Sequence, residues 1–270
     1  MSDTSLPRSA LPRSALPHLE RVGAHASGPV AVLVLHGGRS ASHDSGARRG
    51  LAYRRMRPFA RDLAAAGLPV FLLRYRYRGW NAPDRDALRD ARWALAELDR
   101  HFPGVPVVLV GHSMGGRAAL GAAGAPNVTA VCALAPWLDG SDPVAQLARR
   151  TIVIAHGDRE RWTDPGESYR YAVRAKAVTD RVARFDVPGA GHFMLARRRD
   201  WTDLVHRFVL GAAGVEPFGP QLSNAFAQPS PDGLAIPLAA ADPNGARRWP
   251  QSRHRTPGPL RPWWARGWPG

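Results

Sequence analysis

The 270-residue chain predicts an α/β fold, a mostly parallel, doubly wound sheet with helices on both faces. Three observations carry that expectation. Short apolar runs alternate with stretches of helical period along most of the chain. Most of these runs end in a glycine-bearing turn. The most telling turn, Gly111-His112-Ser113-Met114-Gly115, joins the apolar run Val107–Val110 to a helix-forming stretch. Strands separated by helices imply parallel pairing with both faces covered, and a site at the carboxyl ends of the strands.

The elements follow in order. A strand over 30–35 leads through a long loop to a helix over 53–66. A strand over 69–76, a helix over 85–101, a strand over 106–110 and a helix over 114–124 come next. Strands over 128–134 and 151–155, a helix over 165–177, a strand over 182–187 and a helix over 198–210 complete the domain. The helix over 85–101 shows the pattern plainly. Leu88, Ala91, Trp93, Ala94, Leu95 and Leu98 fall mainly on one face, while Arg89, Arg92, Asp99 and Arg100 lie largely off it.

Outside this domain, expected to span residues 28–213, the composition changes. Residues 1–27 contain Leu6-Pro7-Arg8-Ser9-Ala10 repeated as Leu11-Pro12-Arg13-Ser14-Ala15. A five-residue period with proline each time fits neither helix nor strand, so a disordered arm is expected. Residues 214–270 are rich in proline, glycine and tryptophan and lack periodicity, so a disordered tail is expected there too.

With 44 % hydrophobic residues the chain can build a full core. Its single cysteine, Cys132, excludes an internal disulfide and sits in the apolar run 128–134, which predicts a buried, inert thiol. One cysteine suits a reducing cytoplasm. No apolar run approaches the roughly 20 residues a membrane helix needs, and Met1–Arg13 lacks a signal-like apolar region. A soluble cytoplasmic protein without a membrane partner is expected. The net charge of +15 comes almost wholly from arginine, with Lys176 the only lysine, as GC-rich coding produces. These arginines are scattered over several helices without a nucleic-acid-binding module, so no nucleic-acid partner is expected. A positive field still favours anionic substrates.

The glycine turns carry the chemistry. G-x-S-x-G between a strand and a helix is the form of a nucleophile elbow, a tight turn that pushes its serine outward. Gly111 and Gly115 stand where a Cβ would collide with neighbouring backbone. The helix that follows aims free N–H groups and its positive dipole end at developing negative charge. Upstream, Val30–Leu35 runs into His36-Gly37-Gly38. Downstream, Thr151–Ala155 runs into His156-Gly157-Asp158-Arg159-Glu160, and Arg184–Val187 into Pro188-Gly189-Ala190-Gly191-His192. Serine, then acid, then histidine is the order a triad needs on this kind of sheet.

On these motifs, residues 28–212 resemble the α/β-hydrolase family. The resemblance implies the α/β-hydrolase fold, with Ser113 as nucleophile, His192 as general base and the N–H groups of Gly38 and Met114 as oxyanion hole. The family usually has aspartate two residues after the position of Asp158, where this chain has Glu160. Glu160 is therefore the expected acid, with Asp158 the alternative. Only residues 135–150 separate the strands at 128–134 and 151–155, where the family carries its lid, so no cap domain is expected. The implied function is a serine hydrolase that cleaves a small carboxylic ester or thioester through an acyl-enzyme. Its partner is a small-molecule substrate, and no cofactor or metal is needed. An amide or peptide hydrolase, and a non-catalytic binding protein on the same fold, are the alternatives. His36, His112 and His156 are expected to bond loops rather than act as base or metal ligand. Arg74, Arg76 and Arg78 are expected to be a solvated strand edge rather than an anion subsite.

Overall fold

A computed structural model describes residues 16–23, 28–46 and 50–241. Its central strands are mostly apolar and mostly buried, because helices cover the sheet on both sides. They are β2 (Ala31–Leu35), β3 (Val70–Arg74), β4 (Val107–His112), β5 (Val128–Leu134), β6 (Thr151–Gly157) and β7 (Val182–Val187). Every side chain of β2 and β4 is buried. Alternation decides which face each side chain joins. Leu33, Leu35, Leu109, Ile152 and Ile154 pack into one core cluster, and Val32, Val34, Val110, Val153 and Ala155 into the other.

Two edge strands complete the sheet, β1 (His18–Val22) and β8 (Ile236–Pro237), giving the order β1-β3-β2-β4-β5-β6-β7-β8. β1 runs antiparallel to β3, and every other pairing is parallel. Helices α1 (Leu51–Ala65), α5 (Arg198–Ala212) and α6 (Pro220–Ala227) pack on one face. Helices α2 (Asp86–His101), α3 (Met114–Ala122) and α4 (Pro165–Lys176) pack on the other. The expected doubly wound, mostly parallel architecture is therefore present. Residues 135–150 hold only the 3₁₀ turn Ala145–Leu147, so no cap domain stands between β5 and β6.

The domain boundaries need correction at both ends. β1 lies inside the stretch expected to be a disordered arm, with Leu19 buried in the core. The C-terminal boundary extends beyond residue 213. Leu222 and Ala225 of α6, together with Leu234 and Leu238, are buried, and residues 220–241 brace β7 and α5. The Arg184 guanidinium donates to the Leu234 carbonyl, Arg197 donates to the Leu238 carbonyl, and the Ala241 N–H donates to Asp200. Both elements are too short to declare a period in sequence. The Leu-Pro-Arg-Ser-Ala repeat and the tryptophans beyond Ala241 lie outside the described residues.

Candidate active site

Four strand ends meet over β4. Ser113, between β4 and α3, has φ +57° and ψ −122°, a strained conformation for a residue with a side chain. The turn is held by backbone bonds, with Ser113 N–H donating to the Leu134 carbonyl at 3.0 Å and Trp137 N–H to the Ser113 carbonyl at 3.1 Å. The two glycines are required by close approach. A Cβ on Gly111 would strike the Gly115 carbonyl, and one on Gly115 would strike the carbonyls of Leu35 and His36.

His192, on the loop after β7, places Nε2 3.0 Å from Ser113 Oγ. Its Nδ1 lies 2.8 Å from Glu160 Oε2, on the loop after β6. A carboxylate can only accept here, so Nδ1 carries the proton and Nε2 is left to accept from the serine hydroxyl. The other oxygen of Glu160 accepts the backbone N–H groups of Arg161 at 2.7 Å and Trp162 at 2.6 Å. Burial acts to raise the Glu160 carboxyl, but the His192 bond and these N–H groups outweigh it and hold the pKa at about 2. Asp158 is directed elsewhere: its carboxylate accepts the Gly189 N–H at 2.7 Å and ties the two loops together. Of the two acids that the sequence leaves open, Glu160 meets the imidazole and Asp158 braces the turn.

Gly38 and Met114 line the same cleft as Ser113, Trp137, Trp162 and His192. The Met114 N–H starts α3 and so has no intrahelical acceptor. The Gly38 N–H lies on a loop pinned to residues 76–81. Arg39 N–H donates to Arg78 O, Gly79 N–H to Ser42 O, and Trp80 N–H to Arg39 O.

His36, His112 and His156 each bond a loop. His112 Nε2 donates to the His192 carbonyl at 2.9 Å, and burial lowers its pKa to about 3. His36 Nδ1 donates to the Gly37 carbonyl at 2.7 Å, and burial brings it to about 4. His156 bridges Ser168 Oγ at 2.9 Å and Thr163 Oγ1 at 3.0 Å, behind Glu160, and burial lowers it to about 4. The Ser168 hydroxyl donates to the Pro165 carbonyl, so it accepts from His156 Nδ1, and Nε2 accepts from Thr163. Cys132 is buried, and its thiol is pushed far above the usual range. Arg76 is engaged by Asp90 and Asp86, which leaves no free anion subsite on that guanidinium.

Sequence reasoning missed several side chains that shape the cleft. Arg117 of α3 lies between Trp80 and Trp137, its guanidinium carbon 4.7 and 4.9 Å from their ring centroids, and pairs with Asp139 and Asp142. It thereby fixes the Trp137 wall. Trp162 in the cleft lining and Phe193 beside it were equally silent. No periodicity marks them, and their neighbours in sequence, Glu160 and His192, were the only available signal.

A family model described as the alpha/beta hydrolase family matches residues 32–255. No curated protein is similar enough in sequence to match. Among solved structures, the chain is similar to a serine hydrolase without lid from Xanthomonas campestris. They share 22 % identity at a TM-score of 0.54, over 76 % of this chain and 90 % of that one. An alpha-beta serine hydrolase homologue from Coxiella burnetii aligns with TM-score 0.57 and 16 % identity over 72 % of this chain and 90 % of the other. An esterase from Pyrococcus furiosus aligns with TM-score 0.54 and 17 % identity over 67 % and 80 %. At such identities these likenesses speak for the fold. The family match covers most of the chain, and on it the protein belongs to the alpha/beta hydrolase family.

Proposed function

We propose that the protein is a serine hydrolase that cleaves a small carboxylic ester or thioester through an acyl-enzyme, with Ser113, His192 and Glu160 as its triad. The observation that carries this reading is the continuous chain Ser113 Oγ–His192–Glu160, with links of 3.0 and 2.8 Å. His192 Nε2 takes the hydroxyl proton as Oγ attacks the ester carbonyl carbon. The imidazolium that forms is stabilised by Glu160, which stays ionised at its depressed pKa. Negative charge on the carbonyl oxygen is met by the N–H groups of Met114 and Gly38. Collapse of the tetrahedral intermediate breaks the bond to the leaving group, whose oxygen or sulfur takes the proton from His192. Water, deprotonated by the same nitrogen, then attacks the acyl-enzyme and releases the acid and free Ser113.

Without a cap the cleft is open to water, which favours short, soluble acyl groups over long-chain ones. Amide or peptide hydrolysis uses the same groups on a poorer leaving group. A purely binding role would leave the Oγ–imidazole–carboxylate alignment without a purpose. Among the described residues no helix is long and apolar enough to cross a membrane. The single buried Cys132 fits the cytoplasmic setting proposed here. The test is covalent labelling with a fluorophosphonate probe, together with turnover of p-nitrophenyl acetate. Labelling confined to Ser113 and lost with turnover in Ser113→Ala is expected. An unlabelled parent that does not turn over acetate would leave the binding-protein reading in its place.

A further inference from the structure

Trp162 lines the cleft beside His192, and Phe193 and Arg55 stand next to them just outside that lining, an arrangement the triad does not require. Trp162 is 71 % exposed and Phe193 40 % exposed. Two large aromatic side chains left in water side by side next to a cleft mark contact with something else. The Trp162 ring lies 6.2 Å from the His192 ring at an interplanar angle of 20°, and its centroid is 5.4 Å from that of Phe193. The backbone at Trp162 is held in place by its N–H bond to Glu160.

Over the Phe193 ring, 4.6 Å from its centroid, stands the Arg55 guanidinium of α1. Arg76, Arg117 and Arg184 are partly or wholly buried, and each has a carboxylate within 3.3 Å. Arg55 is half-buried, and no carboxylate among the described residues pairs with it. Burial pulls its pKa down, with no acid to raise it. A guanidinium stacked on a ring still offers its in-plane N–H groups to a carboxylate.

The departing oxygen must come within hydrogen-bond reach of His192 Nε2 to be protonated, which brings the leaving group to Trp162 in the cleft, with Phe193 and Arg55 next beyond it. We infer that Trp162, Phe193 and Arg55 form a leaving-group subsite that selects esters of a planar aromatic alcohol bearing a negative charge. Trp162 gives a stacking face for the ring, and Arg55 takes the anionic substituent at its far side. The inference rests on the esterase reading, so its test carries one arm that needs no turnover.

The turnover arm compares phenyl acetate with 3-carboxyphenyl acetate. The parent is expected to favour the charged ester by about tenfold in kcat/KM, the worth of one partly buried charge-assisted pair. Arg55→Gln should bring the ratio to near one, Arg55→Lys should restore part of it, and Trp162→Ala should raise KM for both esters. The binding arm measures calorimetric association of 3-hydroxybenzoate, the product alcohol, with Ser113→Ala protein. Binding is expected, and it should be lost when Arg55→Gln is added. A parent ratio near one, a ratio unmoved by Arg55→Gln, or 3-hydroxybenzoate binding indifferent to Arg55 would overturn the subsite. If neither ester turns over while 3-hydroxybenzoate binds through Arg55, the hydrolase reading fails and the subsite stands.

Discussion

Across Ser113, the loop that carries Gly38 faces the loops that carry Glu160 and His192, and the two sides are anchored by different chemistry. The Gly38 side is clamped from behind by backbone bonds between residues 39–46 and 76–81. Behind these lies a buried polar set in which Asn81 bridges Ser42 and Asp86, while Arg76 bridges Asp86 and Asp90. The His192 side is tied as well, by Arg159 N–H to the Ala190 carbonyl and Gly189 N–H to the Asp158 carboxylate, but what it turns to solvent is different. It is a chain of carboxylate, imidazole and exposed rings, bonded to His112 and His156 beneath and braced by the C-terminal segment. Donors that must meet one developing oxygen need a fixed position, which a satisfied polar network provides. Aromatic faces accept rings in many orientations. One wall is thus suited to precision, the other to recognition.

The sharpest way to break the His192 side is to remove its charge. Glu160→Gln keeps the shape of the side chain but loses the carboxylate that orients His192 and stabilises its imidazolium. On the proposed mechanism turnover falls by about 10⁴. Asp158→Asn should cost far less activity, because its carboxylate reaches Gly189 and not the imidazole. Kinetics on p-nitrophenyl acetate together with melting curves decide the matter, and the opposite ranking would move the acid's role to Asp158.

Acid should weaken both walls together. His36, His112 and His156 are buried neutral, with folded pKa values of about 4, 3 and 4 against an ordinary 6.5. A lowered folded pKa means that the unfolded chain takes up protons first as pH drops. The stability from each neutral imidazole is complete above pH 6.5 and is lost as pH falls from there toward 4. Between pH 6.5 and 5 each loses about 2 kcal/mol. Glu160, lowered to about 2, adds a loss in the same direction below pH 4.5. Urea midpoints measured from pH 7 to 4.5 should fall steeply, and a flat profile would mean that these rings are not buried neutral.

The brace behind the His192 side also shows what the sequence could and could not convey. The core strands and the glycine turns are local patterns, so they and their order along the chain were legible. Ser113 and His192 could be named because each sits where an apolar run stops at glycines. The preference for Glu160 rested on the spacing from His156-Gly157, and the structure sets that side chain against the imidazole. Asn81 and Arg117 were not legible, because their partners Ser42 and Asp142 lie 39 and 25 residues away. Residues 220–241 misled for a related reason. An eight-residue helix and a two-residue strand gain meaning only where they dock. Comparing a chain that ends at Ala241 with one that ends at Ala213 tests that docking. Buried leucines are worth about 1.5–3 kcal/mol each, and Leu222, Leu234 and Leu238 leave together, so the shorter chain should melt about 10 °C lower or more. Equal melting temperatures would return residues 214–241 to the status of a tail.

The smallest expected effect sharpens the Gly38 side. Asn81 sits at φ +56°, a conformation asparagine tolerates better than most residues. Its Oδ1 accepts the Ser42 N–H at 2.8 Å, and its Nδ2 donates to Asp86 at 2.9 Å. Removing the side chain leaves a partly buried N–H and a buried carboxylate oxygen short of partners, a cost of about 1–3 kcal/mol. It also frees residues 39–42, next to the Gly38 N–H. On the proposed mechanism the Gly38 amide acts only as charge develops on the carbonyl oxygen, so loosening it should lower kcat with KM little changed, by about tenfold, less than outright loss of an oxyanion donor. Asn81→Ala combines this loss with backbone strain, whereas Asn81→Gly removes the side chain and keeps the conformation relaxed. If both variants lose kcat alike, the hydrogen bonds are what hold the loop. If Asn81→Gly keeps full kcat, the backbone bonds from Arg39, Gly79 and Trp80 suffice, and the polar set behind them serves stability alone.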